Sequence, residues 1–137
     1  MLSKMFNQIN LMERSLDAGA LRGQVIAQNI ANAETPDYKS LRVDFEAQLR
    51  AALNNRSDFT TKKTRSKHID FSGRVDPSSV RPSIVRDTHY TMRMDGNNVD
   101  IEQQMVEEAK NTIMMNAVMT EMNSEISRLR TAIKEGK

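Results

Sequence analysis

The stretch of sequence that decides the fold is INLMERSLDAGALRGQVIAQNIANA, residues 9–33. Apolar or small side chains recur in it at alternating spacings of three and four residues, which is typical of a helix that packs along one seam. The residues of this first seam are Ile9, Met12, Leu16, Gly19, Gly23, Ile26, Ile30 and Ala33. Each glycine weakens an isolated helix by about 1 kcal/mol relative to alanine. We therefore expect this helix to order fully only where another helix packs closely against Gly19 and Gly23.

A second and longer seam runs along the last third of the chain. It repeats the alternating spacing and includes four methionines, which make a flexible and adaptable surface. Its residues are Ile101, Met105, Glu108, Thr112, Met115, Met119, Met122, Ile126, Leu129 and Ile133. A helix over residues 99–135 would be about 55 Å long at about 1.5 Å per residue. The sequence therefore predicts a mainly α fold, in which two long terminal helices form an antiparallel coiled-coil-like hairpin and bury their remaining faces against other chains.

Shorter elements are expected between the two long helices. The first helix must end before Pro36, because the residue before a proline is pushed out of helical geometry. Asp44 is a suitable N-cap for a short amphipathic helix, and candidate strands follow at 67–71, 83–86 and 90–94. The chain thus divides into four predicted segments. They are an N-terminal helix (1–33), a turn and short helix (34–55), a basic, partly mobile β-containing insert (56–97) and a C-terminal long helix (98–137).

The composition excludes several classes of protein. The 137 residues include no cysteine, which rules out a disulfide scaffold, a cysteine-based zinc site and a thiol nucleophile. Neither a glycine-rich phosphate loop nor a GxSxG motif occurs. We therefore expect no enzyme activity, no metal and no cofactor. No stretch approaches the roughly 20 apolar residues of a membrane span, and no apolar run of a cleavable secretion signal follows Met1, so direct membrane insertion is not expected.

One basic run is a candidate for nucleic-acid binding. The run KKTRSK at residues 62–67 offers several cations for phosphate contacts. No aromatic side chain alternates with these cations and no helix-turn-helix is evident, so a solvated loop is the better interpretation. His68 and His89 are interpreted as structural or surface histidines, because a zinc site needs three or four convergent ligands. A basic helical protein that binds nucleic acid stays the alternative from another functional class.

The string NIANAETPDYK at residues 29–39 directly follows the first seam. It resembles the N-terminal signature of the bacterial flagellar axial proteins, the rod and hook family, which is usually written N-x-A-N-x-x-T-x-G-Y. The residues of this signature are Asn29, Ala31, Asn32, Thr35, Pro36 and Tyr38. Asp37 stands where the family usually has glycine, a position compatible with a positive φ angle. The turn signature DGNN at 95–98 and the helix start VDIEQQM after it are similar to two short proximal-rod proteins of this family.

The resemblance implies a structural subunit of the tubular flagellar basal-body rod, without a substrate. Its implied partners are copies of itself, other rod proteins, the adaptor between the rod base and the inner-membrane ring, and the flagellar type III export apparatus. Its implied location is the periplasmic rod, reached without a cleavable signal. Asn29, Asn32, Thr35 and Tyr38 would hold the chain as it leaves the first helix. The seam residues expected to be buried on assembly are Ile9, Met12, Leu16, Ile26, Ile30, Met105, Met115, Met119, Met122, Ile126 and Leu129.

Overall fold

In the computed structural model, the described residues are 2–54, 65, 77–88 and 93–135. Their elements follow the chain in the order α1 (Leu2–Ala31), β1 (Leu41–Asp44), α2 (Glu46–Asn54), a short 3₁₀ helix (Pro77–Ser79), β2 (Ser83–Arg86) and α3 (Ile101–Glu135). Much of the predicted insert at 56–97 lies outside the described residues. The fold is mainly α, with a long helix toward each end and a small antiparallel sheet between them, as the sequence predicts.

Helices α1 and α3 pack against each other in antiparallel orientation. The side chain of Asn29, near the end of α1, contacts Gln104 in the first turn of α3. Gly19, in the middle of α1, lies instead beside Met115, farther along α3. Later residues of α3 therefore contact earlier residues of α1. This pairing is the hairpin that the two seams predict.

The two glycines of the first seam differ in how closely α3 approaches them. A Cβ atom built on Gly19 would lie 2.7 Å from Cγ of Met115, closer than real Cβ atoms come. The backbone carbonyl of Gly19 also accepts a 2.9 Å hydrogen bond from Nδ2 of Asn111. A Cβ atom built on Gly23 would lie 3.8 Å from that nitrogen, an ordinary contact. The close approach predicted for both glycines is therefore found at Gly19, whereas Gly23 has room for a methyl group.

The stripe of α3 that faces α1 lies one residue earlier than the predicted seam in the first half of the helix. Its buried or half-buried residues are Gln104, Glu107, Asn111, Met115, Val118, Met122, Glu125 and Leu129. The heptad count selected Met105, Glu108 and Thr112 instead, and these three are exposed. The count was wrong there because α3 carries apolar side chains on several faces. Polar side chains that bond to α1 occupy the actual contact.

Strands β1 and β2 form a two-stranded antiparallel sheet, in which Leu41 pairs with Arg86 and Asp44 pairs with Ser83. Strand β2 coincides with the candidate strand at 83–86. Strand β1 had no counterpart in the sequence-based expectations. Its four residues lead directly into a helix, and its pairing partner lies far along the chain. A strand of this kind is therefore defined by a distant contact more than by its own sequence.

The structure corrects the predicted N-cap at Asp44 and the end of the candidate strand at 90–94. Asp44 was predicted to be the N-cap of the short helix, but it is the last residue of β1, and α2 begins at Glu46. Pairing with β2 keeps the backbone extended at Asp44, so the helix starts later. The candidate strand at 67–71 lies outside the described residues. In the candidate strand at 90–94, the last two residues form a bend and a turn.

A small apolar core lies where the 3₁₀ helix packs against both α1 and α2. Its residues are Ala18, Phe45, Ala52 and Val80, with Val43 and Leu49 packed against them. Only one of these six side chains is aromatic, so the core is modest in volume. It covers one side of α1 and leaves most of the surface of α3 to other contacts.

Candidate functional site

Asn29, the first residue of the signature, is completely buried at the end of α1. Its Nδ2 donates to the carbonyl oxygen of Leu41 at 2.8 Å, and its Oδ1 accepts from the backbone N–H of Leu41 at 2.9 Å. The same Nδ2 donates to Oε1 of Gln104 at 3.0 Å, and the same Oδ1 accepts from the hydroxyl of Tyr38 at 3.3 Å. Both donor hydrogens and both acceptor lone pairs of the amide are therefore used. One side chain joins α1, β1 and α3.

Asn97, just before α3, is also completely buried and serves the end of α1. Its Nδ2 lies 3.0 Å, 3.1 Å and 2.9 Å from the backbone carbonyl oxygens of Asn32, Ala33 and Thr35. Its Oδ1 accepts from the N–H of Val99 at 2.7 Å. These three carbonyls belong to the turn that follows α1, since α1 ends at Ala31. The segment before α3 therefore holds the turn by which the chain leaves α1.

Asn98 links the two strands at the end of the sheet nearest α3. Its Oδ1 accepts from the backbone N–H of Ser40 at 2.7 Å, and its Nδ2 donates to the carbonyl oxygen of Asp87 at 3.1 Å. Ser40 precedes β1 and Asp87 follows β2, and their backbones also pair directly at 2.8 Å. We call Asn29, Asn97 and Asn98 together the asparagine junction. It connects both long helices and both strands.

The turn after α1 adopts an unusual backbone conformation where it meets the junction. Asp37 has a φ angle of 59°, and Gly96 has one of 81°. The backbone N–H of Asp37 donates to the carbonyl oxygen of Asp95 at 2.9 Å, and a Cβ atom on Gly96 would overlap the carboxylate of Asp37. The position that is glycine in the resembled signature is thus left-handed here, with aspartate accommodated in it.

The other signature residues lie around the same turn. Nδ2 of Asn32 donates to the carbonyl oxygen of Gln28 at 2.8 Å, and its Oδ1 accepts from the hydroxyl of Thr35 at 3.3 Å. Burial raises the pKa of the Tyr38 hydroxyl above its ordinary value, while the positive charge of Arg86 opposes that shift. Ala31 and Pro36 are exposed. The structure therefore brings Asn29, Asn32, Thr35 and Tyr38 together and leaves the other two signature residues at the surface.

Sequence reasoning missed the roles of Asn97 and Asn98. It interpreted the segment as a turn followed by a capped helix start, and Asp100 does cap α3, since its Oδ1 accepts from the N–H of Glu102 at 2.9 Å. Four of the six side-chain contacts of the two asparagines run to residues 58 to 65 positions earlier in the chain. The one available signal was that both signatures are rich in asparagine, whose amide both donates and accepts.

The predicted seam residues fall into two groups. Ile26 is buried, and seven others are half-buried, namely Ile9, Met12, Leu16, Ile30, Met115, Met122 and Leu129. Met105, Met119 and Ile126 are 61%, 42% and 42% exposed. Ile101 and Ile133 are 44% and 72% exposed. Together, these five side chains form a row along α3 that we call the outer seam; its residues are Ile101, Met105, Met119, Ile126 and Ile133. It lies about a quarter of a turn around α3 from the stripe that faces α1.

Other candidate chemistries find little support in the described parts of the chain. There, no group of three or more histidine, aspartate or glutamate side chains could hold a metal ion, and no helix is long and apolar enough to cross a membrane. His68 and His89 lie outside the described residues, as does the basic run at 62–67 apart from Arg65, which is exposed. A groove of about 550 Å³ between α1, β1 and α3 is lined by charges of both signs, such as Arg22 and Glu107.

Comparisons with known proteins point in one direction. No protein-family model matches the chain. The chain is 35% identical over 129 residues to the flagellar basal body rod protein FlgB of Bacillus subtilis (strain 168), covering 94% of this chain and 95% of that protein. It is 40% identical over 99 residues to the FlgB of Borrelia hermsii, covering 71% and 73% of the two chains. It is 33% identical over 128 residues to a FlgB of Cereibacter sphaeroides, covering 93% and 94%.

Proposed function

Because the chain belongs to the FlgB family of flagellar basal body rod proteins, and so is a structural subunit of the bacterial flagellar rod, we propose that it assembles through its two terminal helices. The observation that carries this proposal is the outer seam, a row of exposed apolar side chains on α3. The relatives named above do not favour the second short proximal-rod protein, FlgC, or a nucleic-acid-binding protein. The proposed role is structural and needs no catalytic residue, metal or cofactor.

The two groups of seam residues suit two levels of organisation. The half-buried group on α1 and α3 holds the helix pair together within one subunit. The outer seam is left for neighbouring subunits. Burying a large apolar side chain contributes roughly 1.5 to 3 kcal/mol, so covering the half-exposed Met105, Met119 and Ile126 would contribute about 1 kcal/mol each. A row of such contacts repeated between subunits supports a stable shaft.

The arrangement of the seams also suits an open assembly. The outer seam lies on α3 alone. It can therefore contact a different surface of the neighbouring subunit instead of that subunit's own outer seam. Contacts between two different surfaces generate rings or open helical arrays, depending on the rotation between subunits. We propose that copies of this chain and other rod proteins occupy such an array. At its base the array meets the adaptor to the inner-membrane ring.

The route to the rod follows from the same proposal. We propose that the chain passes through the flagellar type III export apparatus to the periplasmic rod without a cleavable signal. Two features support this route. The chain has no cysteine that would cross-link it, and its first helix is weakened by Gly19 and Gly23 until α3 packs against it. Such a chain unfolds readily and is stabilised by the partners that it binds.

The experiment that tests the proposed function replaces Met119 in the bacterium that carries this gene. Met119→Asp places a charge in the outer seam, outside the stripe of α3 that faces α1. We expect the variant to fold, as judged by circular dichroism, but to be absent from isolated basal bodies, and the cells to be non-motile. Met119→Leu is the matched control, since it keeps an apolar side chain of similar size and should be incorporated normally.

Ile26→Asp is a second variant that should block incorporation, for a different reason. Ile26 is 4% exposed within the single chain, so a carboxylate there disrupts the fold before any assembly. The two aspartate variants should therefore differ in helix content and agree in motility. Normal incorporation of Met119→Asp would contradict the proposed role of the outer seam.

A further inference from the structure

The outward side of α1 carries a second regular stripe that the described parts of the chain leave exposed. Its exposed residues are Glu13, Asp17, Ala20, Gln24, Ala27 and Ala31. They recur at spacings of three and four residues, so they share one side of the helix. This side points away from Gly19 and Gly23, which lie against α3. We call the stripe the outer face of α1, and α3 of the same chain cannot reach it.

The outer face of α1 and the outer seam of α3 carry opposite charges at one end. Glu13 and Asp17 are exposed in the first half of α1, whereas Arg130 and Lys134 are exposed in the last turns of α3. The two cations follow Ile126 at steps of four residues, which places them on the side of α3 that carries the outer seam. Acidic side chains thus begin one stripe and basic side chains end the other.

On this basis we propose that the outer seam of α3 receives the outer face of α1 from a second copy of the chain. The two helices run antiparallel. Glu13 of one copy faces Lys134 of the other, and Asp17 faces Arg130. The inference rests on the proposed function and adds to it the identity of the two surfaces and their register.

The sizes of the side chains agree with this register. Counting along the two helices from the charged pairs brings Ala20 level with Ser127 and Ala27 level with Thr120, so Ile126 and Met119 each lie one residue, about 1.5 Å, away from the alanine that they face. A small side chain thus faces each large one, which lets the ridge of α3 enter the groove between residues of α1. Ala20 and Ala27 are seven residues apart, as are Met119 and Ile126, so the match repeats with the heptad.

The opposite orientation is disfavoured by charge. A parallel arrangement would bring Glu13 and Asp17 toward the first half of α3, where Glu108 is exposed in the same row as the outer seam. Like charges facing each other suppress the wrong pairing. Asp17 also lies 3.5 Å from Arg14 of its own helix. This exposed pair is worth about 0 to 1 kcal/mol, so it leaves the carboxylate free to meet a cation of a neighbour.

The proposed contact joins two different surfaces, so it is not the self-complementary contact of a symmetric dimer. Each copy offers the outer face of α1 on one side and the outer seam of α3 on another. Each copy therefore binds one neighbour with its first helix and a different neighbour with its last. Head-to-tail contacts of this kind extend into a ring or a helical array. The first part of the outer seam, Ile101 and Met105, extends past the end of the neighbour's α1 in this register.

Charge reversal tests the register in living cells. Glu13→Lys combined with Asp17→Lys should reduce the amount of chain in isolated basal bodies by about tenfold, because two attractive pairs become repulsive. Adding Arg130→Glu and Lys134→Glu to the same chain should restore incorporation, since the pairs are rebuilt with opposite signs. Incorporation of the double lysine variant at the level of the original chain overturns the inference. So does failure of the fourfold variant to recover.

Cysteine cross-linking tests the contact directly, because the natural chain has no cysteine. Ala27→Cys with Met119→Cys should give linked ladders of chains in basal bodies under mild oxidation. The matched control combines Ala27→Cys with Ala117→Cys, which is exposed on another side of α3, and should give single chains. Equal linking in both variants, or none in either, overturns the inference. If cross-linking fails but Met119→Asp is not incorporated, the proposed function stands without this inference. Normal incorporation of Met119→Asp would contradict both the proposed function and this inference.

Discussion

The asparagine junction and the outer seam are two regions of the same helix hairpin with opposite character. In the junction, Asn29 and Asn97 are completely buried, and each amide is bonded to backbone or side-chain partners within the chain. In the outer seam, apolar side chains such as Met105 and Ile133 are more than half exposed. A buried polar group is costly unless it is satisfied, and an exposed apolar row is unfavourable until it is covered. The junction is therefore complete in one subunit, whereas the seam is the surface that we propose a neighbouring subunit covers.

The largest effect on the single chain is expected from Asn29→Ala, which breaks the junction. The change leaves the backbone N–H and C=O of Leu41 and the side chain of Gln104 without their buried partner. Each unsatisfied buried group costs about 1 to 3 kcal/mol, so we expect a loss of about 3 kcal/mol in the free energy of unfolding. Urea denaturation followed by circular dichroism measures it.

Asn10→Ala is the control for that prediction. Asn10 is an exposed asparagine on the same helix, and alanine has the higher helix propensity. Its replacement should change stability by less than about 0.5 kcal/mol. If the two alanine variants unfolded at the same urea concentration, the junction would not be the polar anchor of the hairpin.

A smaller effect is expected where the two helices approach most closely. Gly19→Ala pushes a methyl group into Met115, and the helices must separate or the side chain must move. We expect a loss of about 2 kcal/mol, typical of overpacking in a tight contact. Gly23→Ala is the matched variant, with room for its methyl group, and should gain about 0.5 to 1 kcal/mol from helix propensity. Thermal unfolding of the two variants should therefore shift in opposite directions, and equal shifts would contradict the close approach at Gly19.

These two regions also differ in how far the sequence alone predicts them. The long helices follow from a regular apolar spacing, which needs no knowledge of the rest of the chain. The face of α3 that meets α1 did not follow, because Met105 and Met119 satisfy the heptad as well as Met115 does. Apolar periodicity does not say which of several apolar faces packs inside the chain and which packs outside it.

The contacts of Asn97 and Asn98 were missed for a different physical reason. Most of their partners are backbone groups distant in sequence, and a run of short polar residues is typical of an ordinary turn. Strand β1 was missed in the same way, because β2 supplies the pairing that defines it. The left-handed position at Asp37, by contrast, was suggested by the glycine that the resembled signature has there. Local rules therefore predict the helices, and long-range polar contacts build the junction.

A smaller effect still is expected at that left-handed position. Asp37→Gly removes the steric penalty of a side chain at a φ angle of 59° but frees the unfolded chain. We expect a net gain of about 0.5 kcal/mol in the free energy of unfolding. Glu34→Gly is the control, since Asp37 is the one non-glycine residue with positive φ in the described parts of the chain. Glycine at residue 34 relieves no strain and should lower stability, and a loss at both positions would contradict the strain at Asp37.

The smallest effect is expected from the titration of Tyr38, whose hydroxyl donates to the junction through Asn29. Burial raises the pKa of this hydroxyl above its ordinary value of 10.0, although the positive charge of Arg86 lowers it in part. The folded chain thus holds the proton more tightly than the unfolded chain. The resulting stability is fully present below the ordinary pKa of tyrosine and is lost as the pH rises through the pKa of Tyr38 in the folded chain.

Unfolding measured between about pH 9 and about pH 11 should show this loss in the natural chain. Tyr38→Phe should show less of it, because phenylalanine has no proton to lose. Identical curves for the natural chain and Tyr38→Phe would mean that ionisation of Tyr38 is not coupled to the junction.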